Sequence, residues 1–371
     1  MKRHITQSIM VTFCILLTSL VAIAQEGKIV TATVHSASLE GNLFGDSPDR
    51  AVGIYLPPSY DKELDMYYPV FYLLHGYGGD YNNASVYEIL RSSMESWLKS
   101  GKVKEMIFVM PNSNNRLYGS QYTNSVTTGN WGDYIAKDLV SYIDTKYRTL
   151  QQRESRAIAG HSMGGSGAMR MGLRYPEVFS CMGGISGDYS MEDYINFCDK
   201  ELLAQASTMK DWNQLNRSSI SVREAMSWCA AFVPNPNNPP FYCDFPFVYN
   251  DAGEIVKNQE AYDRLLEHDI LYNVDDNINT FLSMRAIYID CGTNDEYGLI
   301  THARKLHDKL NAYNINHVYN EFSGGHGDNL VARVGNVLEV FSKAIAFEMS
   351  TTGIEPREKL STTWGQIRNM K

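Results

Sequence analysis

Apolar residues follow two rhythms along this chain. Short runs rich in Val, Ile, Phe and Tyr alternate with longer stretches whose apolar positions recur at helical spacing. Runs at 29–38 and 50–56 predict the two strands of an opening hairpin. Runs at 70–74, 106–110, 156–159, 182–186, 285–290 and 317–322 predict further strands, the second of these being stopped by Pro111. Ile135, Leu139, Val140 and Ile143 lie at helical spacing within 134–147. A helix of small residues is expected after Gly160 and up to Arg174, another after 285–290 through Leu310, and a last one over 329–347. Strands alternating with helices of this length imply crossover connections. The expected class is therefore α/β, with a mainly parallel central sheet and helices on both faces.

The rhythm breaks from about 189 to 280. Ser221-Val222-Arg223-Glu224 reads as a capping box ahead of an apolar helix ending near Phe232. Pro234-Asn235-Pro236-Asn237-Asn238-Pro239-Pro240 can only be loop, and Phe241, Tyr242, Phe245, Phe247 and Tyr249 follow it. The segment is expected to be a lid-like insertion packed over one end of the sheet; a separate folded domain is the alternative. At the start of the chain, Lys2 and Arg3 precede an apolar stretch over 9–24 that ends in Ala22-Ile23-Ala24. That is the pattern of a secretory signal peptide over 1–24, with a membrane anchor as the rival reading. Residues 25–349 would then form the α/β domain and 350–371, polar and containing Pro356, a loosely docked tail. No later stretch is long and apolar enough to span a bilayer, so the expectation is an exported protein, periplasmic or extracellular, without stable membrane insertion.

Composition narrows the function. Of 371 residues, 44% are hydrophobic and 20% charged, enough apolar material for a core without metal or disulfide staples. The net charge of -9 and the lack of a long basic run argue against nucleic acid as a partner. There is no H-E-x-x-H and no cysteine–histidine cluster with zinc spacing, so neither metal nor cofactor is expected. Cys14 lies in the apolar leader. Cys198, Cys229 and Cys243 share one segment and are the pool for a single bridge; alternatively they are buried free thiols, as Cys181 and Cys291 would be.

The chemistry centres on Gly160-His161-Ser162-Met163-Gly164, a G-x-S-x-G pattern between a predicted strand and a small-residue helix. Glycines two residues to either side let the chain turn sharply and leave the Ser162 hydroxyl at the apex. A serine needs a histidine base, and the histidine an orienting carboxylate, following in the order acid then histidine. His326 sits in the glycine loop Ser323-Gly324-Gly325-His326-Gly327-Asp328 after the last predicted strand. His302 and His307 fall on a polar helix face, His317 on a strand edge and His268 in the insertion. Asp295 lies in the loop after the preceding strand, with Asp290 and Glu296 as alternatives. Donors for a developing oxyanion are expected from the N–H of Met163 and from the loop His75-Gly76-Tyr77-Gly78-Gly79, where Tyr77 is favoured and Gly76 is the alternative. Trp131, Tyr122, Trp228 and Phe245 are candidates for holding a sugar or aryl group, although aromatics more often pack cores.

Leu73-Leu74-His75-Gly76-Tyr77-Gly78-Gly79, Gly160 to Ala168, Tyr175-Pro176-Glu177-Val178-Phe179 and Gly292-Thr293-Asn294-Asp295 together resemble the Putative esterase family of α/β-hydrolases. That family includes the feruloyl and acetylxylan esterases of carbohydrate esterase family 1, esterase D (S-formylglutathione hydrolase), enterochelin esterases and mycolyltransferases. The resemblance covers about 50–186 and 285–347. It implies the α/β-hydrolase fold, Ser162 as nucleophile, Asp295 as acid, His326 as base, and Tyr77 and Met163 as oxyanion donors. The insertion at 189–280 is longer than in the compact feruloyl esterases. With the export signal, the resemblance implies a serine esterase acting on feruloyl or acetyl esters of plant polysaccharide. A siderophore esterase, an S-formylglutathione hydrolase-like enzyme or an acyltransferase on the same residues are alternatives. A non-catalytic binding module would have no need of the full Ser162, Asp295 and His326 set.

Overall fold

A computed structural model describes residues 26–81, 84–198 and 200–349. The signal-peptide and tail expectations, with Cys14, lie outside the described residues. The main sheet has eight strands: Lys28–His35 (β1), Asp49–Leu56 (β2), Val70–Leu74 (β3), Ile107–Pro111 (β4), Arg156–His161 (β5), Cys181–Ile185 (β6), Ala286–Gly292 (β7) and Val318–Phe322 (β8). Their spatial order is β1-β2-β4-β3-β5-β6-β7-β8. β2 pairs antiparallel with both β1 and β4, and all remaining neighbours are parallel. This is the mainly parallel α/β sheet that the apolar pattern predicts.

Alternation within each strand decides how the sheet is covered, because successive side chains point to opposite faces. Val70, Tyr72 and Leu74 of β3 join Ile107, Val109, Ile158, Met182, Ile287 and Ile289 in one core. Phe71, Leu73, Phe108, Met110, Ala157, Ala159 and Tyr288 face the other way into a second. Helices supply the far wall of each. Ala84–Lys99 (α1) contributes Leu90 and Met94 to the second core. The predicted helix at 134–147 is a π-helical stretch over Tyr134–Leu139 that continues as Val140–Lys146 (α2) and fills the first core with Ile135, Leu139 and Ile143. Met163–Arg174 (α3) follows β5 directly and lies on the same face.

The irregular segment folds as six short helices and a two-stranded ribbon. The helices are Met191–Cys198 (α4), Lys200–Ser207 (α5), Trp212–Arg217 (α6), Ile220–Phe232 (α7), Gln259–Leu266 (α8) and Ile278–Ser283 (α9). Phe247–Tyr249 pairs with Ile255–Lys257. Met226, Trp228, Phe232 and Leu265 belong to the same buried cluster as the first face of the sheet. Leu299–Ala312 (α10) covers that face too, whereas Leu330–Ala344 (α11) lies against the second through Val334, Val337, Leu338 and Phe341.

Two expectations need correction. The N-cap of α7 is Ser219, whose hydroxyl accepts the Val222 N–H at 3.3 Å; the helix begins earlier than a Ser221–Glu224 capping box requires. Glu224 is thereby freed for another role. Cys181, Cys229, Cys243 and Cys291 are buried free thiols. Any bridge within the pool Cys198, Cys229 and Cys243 would use Cys229 or Cys243, so that bridge is not formed. Among the described residues, no helix is long and apolar enough to cross a membrane.

Candidate active site

The turn from β5 into α3 is built by absences of side chain. A Cβ on Gly160 would lie 2.3 Å from the carbonyl oxygen of Gly164, and one on Gly164 would lie 2.3 Å from that of Leu74. No other residue lets the strand and helix close to this distance. Ser162 between them has φ 57° and ψ −124°, a conformation that a residue with a Cβ adopts only under constraint. The Ser162 N–H donates to Ile185 O at 2.9 Å, and its carbonyl accepts the N–H groups of Gly165 and Ser166 at 2.8 and 3.1 Å. The Met163 N–H is the first of the helix and has no carbonyl within the helix to donate to.

The glycine loop after β3 lies directly against this turn. A Cβ on Gly76 would meet Ser162 Cβ at 3.2 Å. Gly78 N–H donates to Tyr118 O at 2.8 Å and Gly79 N–H to Gly76 O at 2.9 Å, which fixes the loop without using the Tyr77 N–H. The side chains of Tyr77 and Met163 converge on Gly119, where a Cβ would sit 2.5 Å from Tyr77 Cδ2 and 2.7 Å from Met163 Sδ. His75 underlies the loop. Its Nε2 accepts the Ser113 N–H at 2.9 Å and its Nδ1 donates to Gly76 O at 2.9 Å; burial holds it neutral, pushed down to about 4.

The loops after β7 and β8 meet at the C-terminal edge of the sheet. His326 Nδ1 lies 2.8 Å from Asp295 Oδ2. The carboxylate can only accept, so Nδ1 carries the proton and Nε2 is left as a base. Asp295 is buried, which alone would raise its pKa, but the hydrogen bond and charge of His326 and the Tyr297 N–H at 3.0 Å outweigh that and hold it below the usual carboxylate range. The Tyr297 ring packs edge-on against His326 with centroids 4.7 Å apart.

The backbone of His326 is gripped from three sides. Its N–H donates to Glu296 Oε2 at 2.7 Å. Its carbonyl accepts from His161 Nε2 at 3.0 Å and from Arg333 Nη1 at 3.0 Å. Burial depresses the pKa of His161 to about 3, so that ring is neutral and donates from Nε2. His161 precedes the nucleophilic turn, and its ring stands 4.6 Å from that of His326. Arg333 on α11 is itself held by Asp290 at 2.7 Å and by Ser186 Oγ at 2.6 Å, all three being buried. Among the described residues no hydrogen bond joins Ser162 Oγ to His326; such contacts often tighten only when substrate is bound.

Ser162 with Met163, Tyr77, Asp295 and His326 thus come from four separate places in the sequence pattern to one edge of the sheet. The two alternative carboxylates have other partners: Asp290 neutralises Arg333 and Glu296 holds the His326 backbone. The aromatic candidates do not join them. Trp131 is fully buried and donates from Nε1 to Thr128 O at 2.8 Å. Tyr122 is fully buried with its hydroxyl on His75 O at 2.9 Å. Trp228 packs edge-on against Tyr194 with centroids 4.7 Å apart, and Phe245 lies against the core. His302, expected on a solvated face, is buried beside Tyr194. Sequence reasoning missed Arg333, His161 and Glu296 as supports of His326. Of these, His161 and Glu296 adjoin residues the motifs single out, whereas Arg333 carries no local signal. No group of three or more metal-ligating side chains is present among the described residues.

Comparison with known proteins bears on this arrangement. The family model described as Putative esterase matches residues 47–329. An endo-1,4-beta-xylanase/feruloyl esterase of Xylanibacter ruminicola is 32% identical over 157 residues, 39% of this chain and 20% of that protein. An acetyl esterase of Caldicellulosiruptor saccharolyticus is 28% identical over 140 residues, 36% of this chain and 44% of that protein. The chain therefore matches less than half the length of either relative. Among solved structures, a ferulic acid esterase has a TM-score of 0.60 at 22% identity, covering 86% of this chain and all of that one. An S-formylglutathione hydrolase from Agrobacterium tumefaciens has a TM-score of 0.57 at 16% identity, covering 87% of this chain and 97% of that one. At these identities the likeness is one of fold.

Proposed function

From the premise that this chain belongs to the Putative esterase family, we propose that it hydrolyses carboxylic esters through an acyl-enzyme on Ser162. The 2.8 Å contact between Asp295 and His326, beside the turn that carries Ser162, is the observation that carries the reading. His326 Nε2 takes the Ser162 proton as Oγ attacks the ester carbonyl. Negative charge develops on the carbonyl oxygen between the N–H groups of Met163 and Tyr77. The alcohol departs with the proton from His326, and water repeats the sequence to release the acid. Asp295 keeps Nδ1 protonated throughout and stabilises the imidazolium. No metal or cofactor takes part in this scheme.

The proposed substrates are acetyl or feruloyl esters on plant polysaccharide, met outside the cell. The names of the two relatives support this class, as does the export signal read at residues 1–24. The test is acid release in a pH-stat from acetylated xylan and from feruloylated arabinoxylan, with the Ser162→Ala variant as control. Release from either polymer that is lost in the variant would support the reading and name the acyl group. Release equal in both proteins would overturn Ser162 as nucleophile. Turnover of small esters without release from either polymer would remove the polysaccharide and keep the chemistry.

A further inference from the structure

The loop beside Tyr77 is held in an unusual backbone. Tyr118, Gln121 and Tyr122 have φ of 64°, 55° and 50°, so three residues with side chains share the left-handed region within five positions. Strain of this kind persists only where the surroundings over-determine it, and it clusters at functional sites. Here the Tyr118 carbonyl is tied to the glycine loop through Gly78 N–H, and the Tyr122 hydroxyl to His75 O. The conformation turns Tyr118 outward, 46% exposed, and Gln121 inward with no exposure.

Helix α7 of the insertion seals this loop from the side. Arg223 lies over the Tyr118 ring at 5.3 Å, and Ser227 Oγ accepts from Gln121 Nε2 at 2.9 Å. Glu224 stands between those two contacts, one turn before Ser227 on the same helix face. Burial and, when ionised, the Glu224 carboxylate push the Tyr77 hydroxyl up, and burial and Asp188, just past β6, push Glu224 up in turn. Asp188 is buried and is 3.9 Å from Arg170, and the charge of His326 reaches it.

Three polar atoms in this neighbourhood are buried without a hydrogen bond: Tyr77 Oη, Gln121 Oε1 and Asp188 Oδ1. They come from three different segments, and each such atom carries a cost that a bound group would relieve. We propose that Gln121, Asp188 and Glu224 line a subsite beside Ser162 that receives a hydroxyl group of the ester substrate. The inference rests on the esterase reading and assigns to the insertion a part in selecting the substrate. A hydroxyl fits because it donates to an acceptor such as Gln121 Oε1 while accepting from another group. Burial and the neighbouring Asp188 push Glu224 up to about 8, so at neutral pH its carboxyl is uncharged and able both to donate and to accept. An apolar acyl or alcohol group would leave Tyr77 Oη and Gln121 Oε1 unpaired and Asp188 Oδ1 with only its 3.9 Å ion pair to Arg170.

The hydroxyl can belong to the acyl group or to the alcohol, and two pairs of esters separate the sources. Methyl 4-hydroxycinnamate against methyl cinnamate probes the acyl side. Acetylated xylobiose against ethyl acetate probes the alcohol side. The wild type should favour the hydroxylated member of one pair by at least roughly tenfold in kcat/KM. Glu224→Leu should bring that ratio toward one, and Glu224→Gln, whose amide also donates and accepts, should restore most of it. Equal loss on both members of a pair would mark Glu224 as structural and overturn the subsite. A wild type without discrimination in either pair, yet active on 4-nitrophenyl acetate, would overturn the subsite alone. Inactivity on every ester would overturn the esterase reading as well.

Discussion

At Ser162 the backbone and the side chain are under separate demands. The positive φ costs about 1–3 kcal/mol and is maintained by Gly160 and Gly164 packing the strand against the helix. Ser162→Ala keeps the Cβ and so keeps the strain; it should abolish turnover with a melting temperature close to wild type. Ser162→Gly should abolish turnover and raise the melting temperature, because glycine reaches this conformation freely. A lower melting temperature for the glycine variant would show that the strain is not stored at this residue. Asp295→Asn addresses the other half of the site. An amide cannot hold His326 in the tautomer with a free Nε2, so kcat should fall by about three to four orders of magnitude while the fold survives. A loss below about tenfold would indicate that another group orients His326.

At the level of elements, α11 couples the base to the sheet. Arg333 spans from Asp290 on β7 to the carbonyl of His326, and both charges are buried. Asp290→Asn would leave the guanidinium without its counter-charge and should cost about 3 kcal/mol, read from urea unfolding midpoints. Arg333→Met removes the bond to His326 and should lower kcat more than it raises KM. The pattern of apolar positions was sufficient to find all eight strands within about three residues of their ends; inner strands such as β3, β4 and β6 are buried along their whole length, whereas β1 and β8 at the edges of the sheet are largely exposed or half-buried. It did not reveal α1, in which Ser85, Ser92, Ser93 and Ser96 break up the apolar stripe of Val86, Ile89, Leu90 and Met94. Ser162, Asp295 and His326 were legible because glycine-rich turns at strand ends are local signals. Arg333 was not, because an arginine on a helix reads as solvated until the partner strand is known. Trp228 misled for the opposite reason: aromatic character marks burial, and on α7 it is Arg223 and Ser227 that touch the strained loop.

At the scale of the whole molecule, the described residues include four histidines in strongly buried environments that disfavour charge. Burial lowers His75 and His302 to about 4 and His161 and His268 to about 3. Unfolded, each returns to a value of about 6.5. The folded state therefore loses stability as pH falls from about 6.5 toward 4, since the unfolded chain takes up protons that the native one refuses. At pH 5 each group contributes up to about 2 kcal/mol of that loss, and above pH 7 none. Urea midpoints measured at pH 7 and pH 5 should show the decline. In His302→Gln, which removes one buried imidazole whose Nδ1 has no partner, the decline should be shallower. An unchanged slope would mean that His302 takes up its proton without unfolding.

The order of strands across the sheet has a further consequence, one of timing. Ser162 stands at the centre, on a strand flanked by β3 and β6, and all of this is specified by the first half of the chain. Asp295 and His326 arrive on β7 and β8, the last two strands made and the outermost on their side. A nascent chain emerging from the ribosome can assemble the nucleophile's turn well before either partner exists. On the esterase reading, the hydroxyl would then have no base, and hydrolysis would begin only when the final two strands dock, so the first turnover of each molecule would report that its C-terminal third has folded.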